Sequence, residues 1–447
     1  MIQIGIVLFL IGSVLCGTAV SMNQLIFFRA LQGLGAGALL PIGMTIIGDI
    51  YTVEERARMQ AIFSSVWAIA SIVGPIAGGF ITDHLSWRWV FLINVPFGIA
   101  SALIIGFALK EAKRDAHPTV DYGGAITLTA AITLLMLAFD KGGGAGASLL
   151  SARNLGLFAG AAVLFAVFAR IERRAQDPIV PFDLFQDRVV TVAVVAGFLA
   201  GMAMFGAISF VPLYAQGALG TTASGAGSLL TPLLLSWVVL SIIGGRLMLK
   251  IGARPTVIAG VSLMTIGFIV LSSYHREMHR AWLMSGLAII GAGLGLTMFI
   301  LLLAVQQSVP RARLGLATSL NLFARSIGGA FGVAVMGAVL SAGLADNLAA
   351  VARGGTLGLS PQRAAELARH PNALIEPSAR AELSPQLLNA LQDALAAALH
   401  NVFLIGAGAA ALALIIVVMW LPRAGDSEAS TASATATAAP AGESHVA

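Results

Sequence analysis

The sequence predicts an all-α integral membrane protein with about twelve transmembrane helices. Two observations lead to this fold class. Hydrophobic residues make up 58% of the chain and charged residues only 11%, against about 25% charged residues in soluble domains. The apolar residues also fall into repeated runs of about 20, the helix length that crosses a bilayer core of about 30 Å. An ordinary soluble fold is therefore excluded.

Polar turns between the apolar runs divide the chain. Residues 1–110 hold four spans of an N-terminal bundle, and residues 111–188 hold a central pair of spans and a cytoplasmic linker. A six-span bundle follows at 189–423, with a long outer loop at 344–398. Residues 424–447 are rich in Ala, Ser and Thr, which predicts a disordered cytoplasmic tail. The spans are expected near residues 3–20, 24–47, 59–82, 89–109, 122–139, 155–170, 189–213, 225–247, 255–273, 281–304, 314–343 and 399–421.

Basic residues set the predicted orientation. The chain has a net charge of +5, and most of its Lys and Arg lie in the short loops on one side of the predicted membrane. The positive-inside rule assigns that side to the cytoplasm. We therefore expect both termini in the cytoplasm. The membrane itself is expected to be a bacterial inner membrane. Because the basic residues are spread over these loops, nucleic-acid binding explains them poorly.

The second span carries polar and small residues that a lipid-facing helix does not need. Arg29 lies inside an apolar helix, at a cost of about 2.5–3.5 kcal/mol on insertion scales, so it should face protein or a water-filled cavity. Gln32, Gly33 and Gly37 follow at i+3, i+4 and i+8, on one face of the helix with Arg29. The glycines would let a neighbouring backbone approach closely.

The third span contains a predicted break. Gly74 and Pro75 interrupt it, because proline lacks a backbone donor and clashes with the carbonyl four residues earlier. Gly78 and Gly79 follow one turn later. We therefore expect a bent helix that packs closely against the second span, beside a polar cavity.

Three stretches resemble motifs of known transporters. Residues 29–37 resemble the fourth-helix motif of major facilitator superfamily drug exporters, and residues 74–79, Gly-Pro-x-x-Gly-Gly, resemble the fifth-helix antiporter motif. Residues 87–98, Trp-Arg-Trp-Val-Phe-Leu-Ile-Asn-Val-Pro-Phe-Gly, resemble the fourteen-span drug:proton antiporter branch. The resemblance implies a major facilitator fold, alternating access and proton-coupled efflux of lipophilic drugs or similar small molecules.

A repeated spacing relates the two halves of the chain. Arg-Ala-Arg at 56–58, followed by Gly74, recurs at 311–313, followed by Gly329, with the same offset. Paired halves are typical of transporters that bind substrate between them. Residues 245–254 resemble the cytoplasmic loop motif of the superfamily, and the counterpart of that loop would precede the first residue. We therefore expect this chain to lack the first two helices of a fourteen-span protein.

The residues that would couple transport to protons are the least well defined. Such transporters usually need an intramembrane carboxylate, and all 21 acidic residues are predicted at span ends, in loops or in tails. Asp83, at a helix end, would cap a helix or form a gate contact. Arg29, Gln32 and Arg325 are the transport and coupling candidates. Each arginine either acts as a cavity cation or is a structural residue bound by backbone carbonyls.

The predicted substrate cavity contains Asn94, Met204 and Phe205. Methionine and phenylalanine suit varied lipophilic ligands, and asparagine would orient them by hydrogen bonding. Ordinary membrane packing explains Met204 and Phe205 equally well. His275 and His279 lack the order of the zinc motif His-Glu-x-x-His. We therefore expect no metal, no cofactor and no enzymatic activity.

Two other functions stay open at this point. One alternative to a drug exporter is a truncated membrane protein that does not transport. The other is an exporter of an endogenous metabolite. For the exporter, the expected partners are the lipid bilayer, a small lipophilic substrate and protons. A periplasmic adaptor would be a further partner, and the sequence does not reveal one.

Overall fold

The fold was determined as a computed structural model. Every regular element in the described part of the chain is a helix, so the predicted all-α class is confirmed. Pro75, where a helix break was predicted, lies outside the described residues. His275 and the predicted tail at 424–447 also lie outside them. The structure describes residues 2–50, 66, 69–70, 73–74, 76–108, 121–139, 151–273, 279–310, 313–353, 364 and 384–422.

Thirteen α-helices are numbered here in chain order within these residues. Besides these, Phe182–Gln186 form a short 3₁₀ helix, Tyr214–Ala218 form a π-helical turn, and residues 76–84 are also helical. The helices are α1 (Ile2–Thr18), α2 (Met22–Ile50), α3 (Trp89–Leu92), α4 (Asn94–Ala108), α5 (Tyr122–Phe139), α6 (Ala152–Glu172), α7 (Arg188–Leu213), α8 (Ala223–Leu229), α9 (Thr231–Ile251), α10 (Ala253–Ser272), α11 (Arg280–Ser308), α12 (Leu314–Arg353) and α13 (Pro385–Trp420).

These helices agree with most of the predicted spans. Within the described residues, nine helical segments between Trp89 and Trp420 are long and apolar enough to cross a membrane. The apolar α1 has 17 residues. α2 has 29 residues, more than the length of about 20 that a bilayer core requires. The predicted span 59–82 and outer loop 344–398 lie partly outside the described residues. The chain is a multi-pass membrane protein.

The ends of two helices differ from the prediction. α12 continues to Arg353 rather than ending at 343, and α13 begins at Pro385 rather than at 399. The Ser384 hydroxyl accepts a hydrogen bond from the Leu387 N–H at 3.3 Å, and proline is favourable in the first turn of a helix. The turns that α13 adds before the predicted span therefore begin at a local cap, which an apolar length criterion does not detect.

Small residues bring the helices of the C-terminal bundle together. α11 packs between α9 and α10, and α7 packs against α12 and α13. A Cβ atom placed on Gly295 would lie 2.5 Å from the Trp237 carbonyl oxygen of α9, and one on Gly293 would lie 2.5 Å from the Met264 Cγ of α10. Glycines two positions apart on α11 therefore face different neighbours, which gives close contact on both sides.

The earlier helices form smaller groups. α1 packs against α2, α3 and α4, while α5 pairs with α6 and also reaches α12. Gly12 of α1 lies against the backbone of Gln32, and Gly35 of α2 lies against the backbone of Phe9. The large buried apolar cluster that runs from Leu184 to Leu421 does not include these first helices.

Substitution of a buried glycine on α11 tests this packing. We expect Gly295→Leu to lower the free energy of unfolding by about 1–3 kcal/mol, because the added side chain must displace the backbone of α9. Thermal unfolding of the purified chain in detergent would measure the loss. Gly408→Leu on α13 is the matched control, since no described atom lies within 4 Å of its Cβ position. Equal unfolding temperatures for the two variants would contradict this account.

Candidate functional site

A polar bridge joins α1 and α2 inside the N-terminal helices. The Gln32 side chain is 2% exposed, and its Nε2 donates to the Ser13 Oγ at 2.5 Å. Its Oε1 accepts from the Arg29 Nη1 at 2.6 Å, and the Cys16 Sγ lies 4.0 Å from the same oxygen. Both ends of the amide are therefore satisfied, as a buried polar group requires.

Arg29 stands at the edge of this bridge. The residue is exposed, and its guanidinium carbon lies 5.7 Å from the centroid of the Phe91 ring on α3, within cation–π range. One of its five N–H groups is used by Gln32, and no other described residue accepts from it. The remaining donors are available to water or to a ligand at the junction of α1, α2 and α3.

The predicted shared face of α2 divides into two environments. Gln32 and Gly35 face α1, whereas Gly33 and Gly37 are exposed and have no described atom within 4 Å of their Cβ positions. Gly35 lies two residues from each of them, so the turn of the helix points it in a different direction. The close backbone approach observed here is at Gly35, and the packing role of Gly33 and Gly37 stays a prediction.

The third span contacts the C-terminal bundle at one end. The Asp83 Oδ2 accepts from the Ser224 backbone N–H at 3.0 Å and from the Ser224 Oγ at 2.5 Å. A Cβ atom on Gly79 would lie 2.7 Å from the Ser224 Cα, so only a glycine allows the start of α8 to come this near. Gly74 and Gly78 have no described atom within 4 Å of their Cβ positions, and their roles stay predictions.

The charge of Asp83 follows from its partners. The hydroxyl of Ser224 and then its backbone N–H lower the pKa of the Asp83 carboxyl below its usual range, against a smaller opposing effect of burial. Hydrogen bonds that favour the ionised form have this effect. The carboxyl is therefore ionised at neutral pH, and its contact with Ser224 is lost only when the pH falls through the lowered pKa.

Arg325 lies where α12 crosses α7. Gly201 of α7 lies against the carbonyl of Arg325, and Gly328 lies against the backbone of Phe198. One turn earlier the Asn321 Nδ2 donates to the Ala193 carbonyl at 3.1 Å. The Arg325 side chain is partly buried, and no hydrogen-bond acceptor for its guanidinium is found among the described residues. Its role in coupling stays a prediction.

The three predicted cavity residues lie in different surroundings. The Asn94 Nδ2 donates to the Phe91 carbonyl at 3.2 Å, across the break between α3 and α4. Met204 is 4% exposed and belongs to the buried core, and Phe205 is 37% exposed with its ring against Gly329. Met204 therefore packs in the core of this structure. A substrate role for Asn94, Met204 and Phe205 stays a prediction.

Several polar partners were missed by the sequence analysis. Ser13, which binds Gln32, lies between apolar residues of α1, and Ser224 lies two residues after Thr222, the cap of α8. Glu172 was expected at a span end like other acidic residues, yet it is 3% exposed. A polar residue flanked by apolar turns was the available signal for Ser13. The sequence around Ser224 and Glu172 carries no such signal.

Comparisons with known proteins agree with this architecture. Residues 1–333 match the Major Facilitator Superfamily. The multidrug transporter protein MdtP of Bacillus subtilis (strain 168) is 37% identical over 90% of this chain and 77% of its own length. Multidrug resistance protein 3 of the same organism is 38% identical over 90% of this chain and 78% of its own length.

A solved structure shows the same fold. It is a bacterial homologue of the human lysosomal transporter Spinster in an inward-facing, unoccupied conformation, with a TM-score of 0.57 and 17% identity over 94% of this chain and 83% of the other. Together with the sequence matches, this confirms the predicted major facilitator fold and a transporter rather than an enzyme. The chain belongs to the major facilitator superfamily.

Proposed function

We propose that this protein exports lipophilic drugs or similar small molecules from the cytoplasm, by alternating access and in exchange for protons. The names of its relatives, a multidrug transporter and a multidrug resistance protein, support the substrate class. The observation that carries the mechanism is the contact of Asp83 and Gly79 with Ser224. An exporter of this kind must close one side of its passage at a time.

The contact joins residues of the two halves at the side that the positive-inside rule predicts to be outside. One of the two hydrogen bonds to Asp83 comes from the Ser224 backbone N–H, in the first turn of α8, where backbone N–H groups lack helical partners. The other comes from the Ser224 hydroxyl. Asp83 is exposed, so water can replace these bonds when the halves separate. A closure of this kind holds the outer side shut without making its opening too costly.

Arg29 is the proposed coupling residue. Its positive charge lies at a helix junction, bound by Gln32 on one side and by the Phe91 ring on another. A cation in this position disfavours a second positive charge nearby and favours an anionic or polar group. Substrate or proton binding near Arg29 would therefore alter the bridge from Arg29 through Gln32 to Ser13, which connects α2 to α1.

The proposal includes the membrane and the orientation. The cytoplasmic termini are supported by the distribution of basic residues in the loops, and a bacterial inner membrane is the location that we propose for such an exporter. Protons would enter from the outer side while the substrate leaves. No adaptor protein is included in the proposal, because no described surface identifies one.

Arg29 can be tested in inverted membrane vesicles. We expect Arg29→Ala to reduce proton-driven uptake of a lipophilic dye by about tenfold or more, because a charge-assisted hydrogen bond is lost. Arg29→Lys should retain part of the activity, since it retains the charge. Arg353→Ala is the matched control, because Arg353 is exposed and, among the described residues, its Nε donates to the Ala349 carbonyl of its own helix. Full activity of Arg29→Ala would remove this assignment.

The outer contact can be tested by distance measurements. We expect Asp83→Ala to increase the population with a separated outer side several-fold, because both hydrogen bonds to Ser224 disappear. Spin labels on Val20→Cys and Ala281→Cys, two exposed positions at the predicted outer side, would report the separation. Cys16 is fully buried and out of reach of the label.

Asp187→Asn is the matched control for Asp83→Ala, since Asp187 caps α7 at the other predicted side. The effect of Asp83→Ala should be the same between about pH 5 and 8, because the lowered pKa keeps Asp83 of the unmodified chain ionised throughout. Unchanged distances in Asp83→Ala would contradict an outer gate.

A further inference from the structure

Two carboxyl groups meet where α5 begins and α6 ends. The Asp121 Oδ1 caps α5 by accepting from the Gly124 N–H at 2.7 Å. Glu172 is the last residue of α6, and its Oε1 accepts from the N–H of Val180 in the linker that follows. One oxygen of each carboxyl group is therefore occupied by a backbone donor.

The second oxygens face each other. The Asp121 Oδ2 and the Glu172 Oε2 are buried, and neither has a hydrogen-bond partner among the described residues. The two carboxyl groups are within hydrogen-bonding reach of one another. Both oxygens lie against Gly124, where a Cβ atom would be 3.0 Å from the Glu172 Oε2 and nearer still to the Asp121 Oδ2. Only glycine at position 124 leaves room for this pair.

This arrangement is unfavourable when both carboxyl groups are ionised. Each is an acceptor without a donor, and two like charges at this distance repel. Among the described basic residues nearby, Arg170, Arg173 and Arg174 are exposed, and none forms an ion pair with either carboxyl group. A single proton between the two free oxygens converts the repulsion into a hydrogen bond.

We propose that Asp121 and Glu172 together bind one proton, and that this proton fastens the linker after α6 to the start of α5. The arrangement matches other carboxyl pairs that share a proton because both members cannot ionise together. Loss of the proton leaves two adjacent carboxylates, and their repulsion moves Glu172 away from the Val180 N–H. The joint therefore loosens as the pH rises, on the side predicted to face the cytoplasm.

The position of the linker gives this proton a wider effect. Further along the same linker, Asp183 forms an ion pair with Arg313 just before α12, and Asp187 caps α7. The shared proton thus lies at one end of a connection between the central helix pair and the C-terminal bundle. This pH-sensitive joint is separate from the proposed export, because it depends on neither substrate nor Arg29.

Infrared spectroscopy of the full chain in lipid bilayers tests the proton directly. We expect a carbonyl band from a protonated carboxylic acid at neutral pH, and its loss as the pH is made alkaline. Glu172→Gln and Asp121→Asn should each remove the band, while Asp183→Asn, the control on the same linker, should retain it. Identical spectra for the unmodified chain and Glu172→Gln at every pH would overturn the proposal.

Hydrogen exchange at the Val180 amide supplies a second readout. In Glu172→Gln the amide Nε2 can donate permanently to the Asp121 Oδ2, as the shared proton does. At neutral pH we expect the Val180 amide to exchange at the same rate in Glu172→Gln and in the unmodified chain. At alkaline pH we expect it to exchange several-fold faster in the unmodified chain than in Glu172→Gln. Equal exchange at all pH values would contradict the joint. If Glu172→Gln does not fold, the alkaline titration of the unmodified chain and Asp121→Asn make the same test.

Discussion

The structure depends on one constraint: a polar group inside a bilayer must find its hydrogen-bond partner within the protein, because lipid offers none. Gln32 meets this requirement by binding Ser13 on α1 and Arg29 on its own helix. Asn321 does so through the Ala193 carbonyl of α7. Gln32 and Asn321 therefore also help to determine which helices lie together.

Close approach of the helices makes these short bonds possible. Gly35 lies against α1 near Gln32, and Gly79 lies against Ser224 beside Asp83. In both places the missing side chain brings a neighbouring backbone within reach of a polar group a few residues away. Glycine thus contributes to the candidate site indirectly, by letting partners from two helices meet.

Acidic residues at the two predicted sides of the membrane have different environments. Asp83 is bound by an N–H and a hydroxyl of Ser224, so the ionised form is favoured. The Asp121 carboxyl group instead faces Glu172, and a pair of carboxyl groups favours a bound proton. The neighbours of each group determine whether it acts as a fixed anion or as a proton-binding site.

The sequence by itself determined the helical class, most span positions and the superfamily, because apolar length and motif spacing are properties of neighbouring residues. It also identified Arg29 and Gln32, since polar residues in an apolar run are conspicuous. Only the tertiary structure decided which partners they have. Ser224 is 141 residues from Asp83, and Glu172 meets Asp121 from the next helix. Helix packing creates such contacts, and no local pattern encodes the distance between two side chains on different helices.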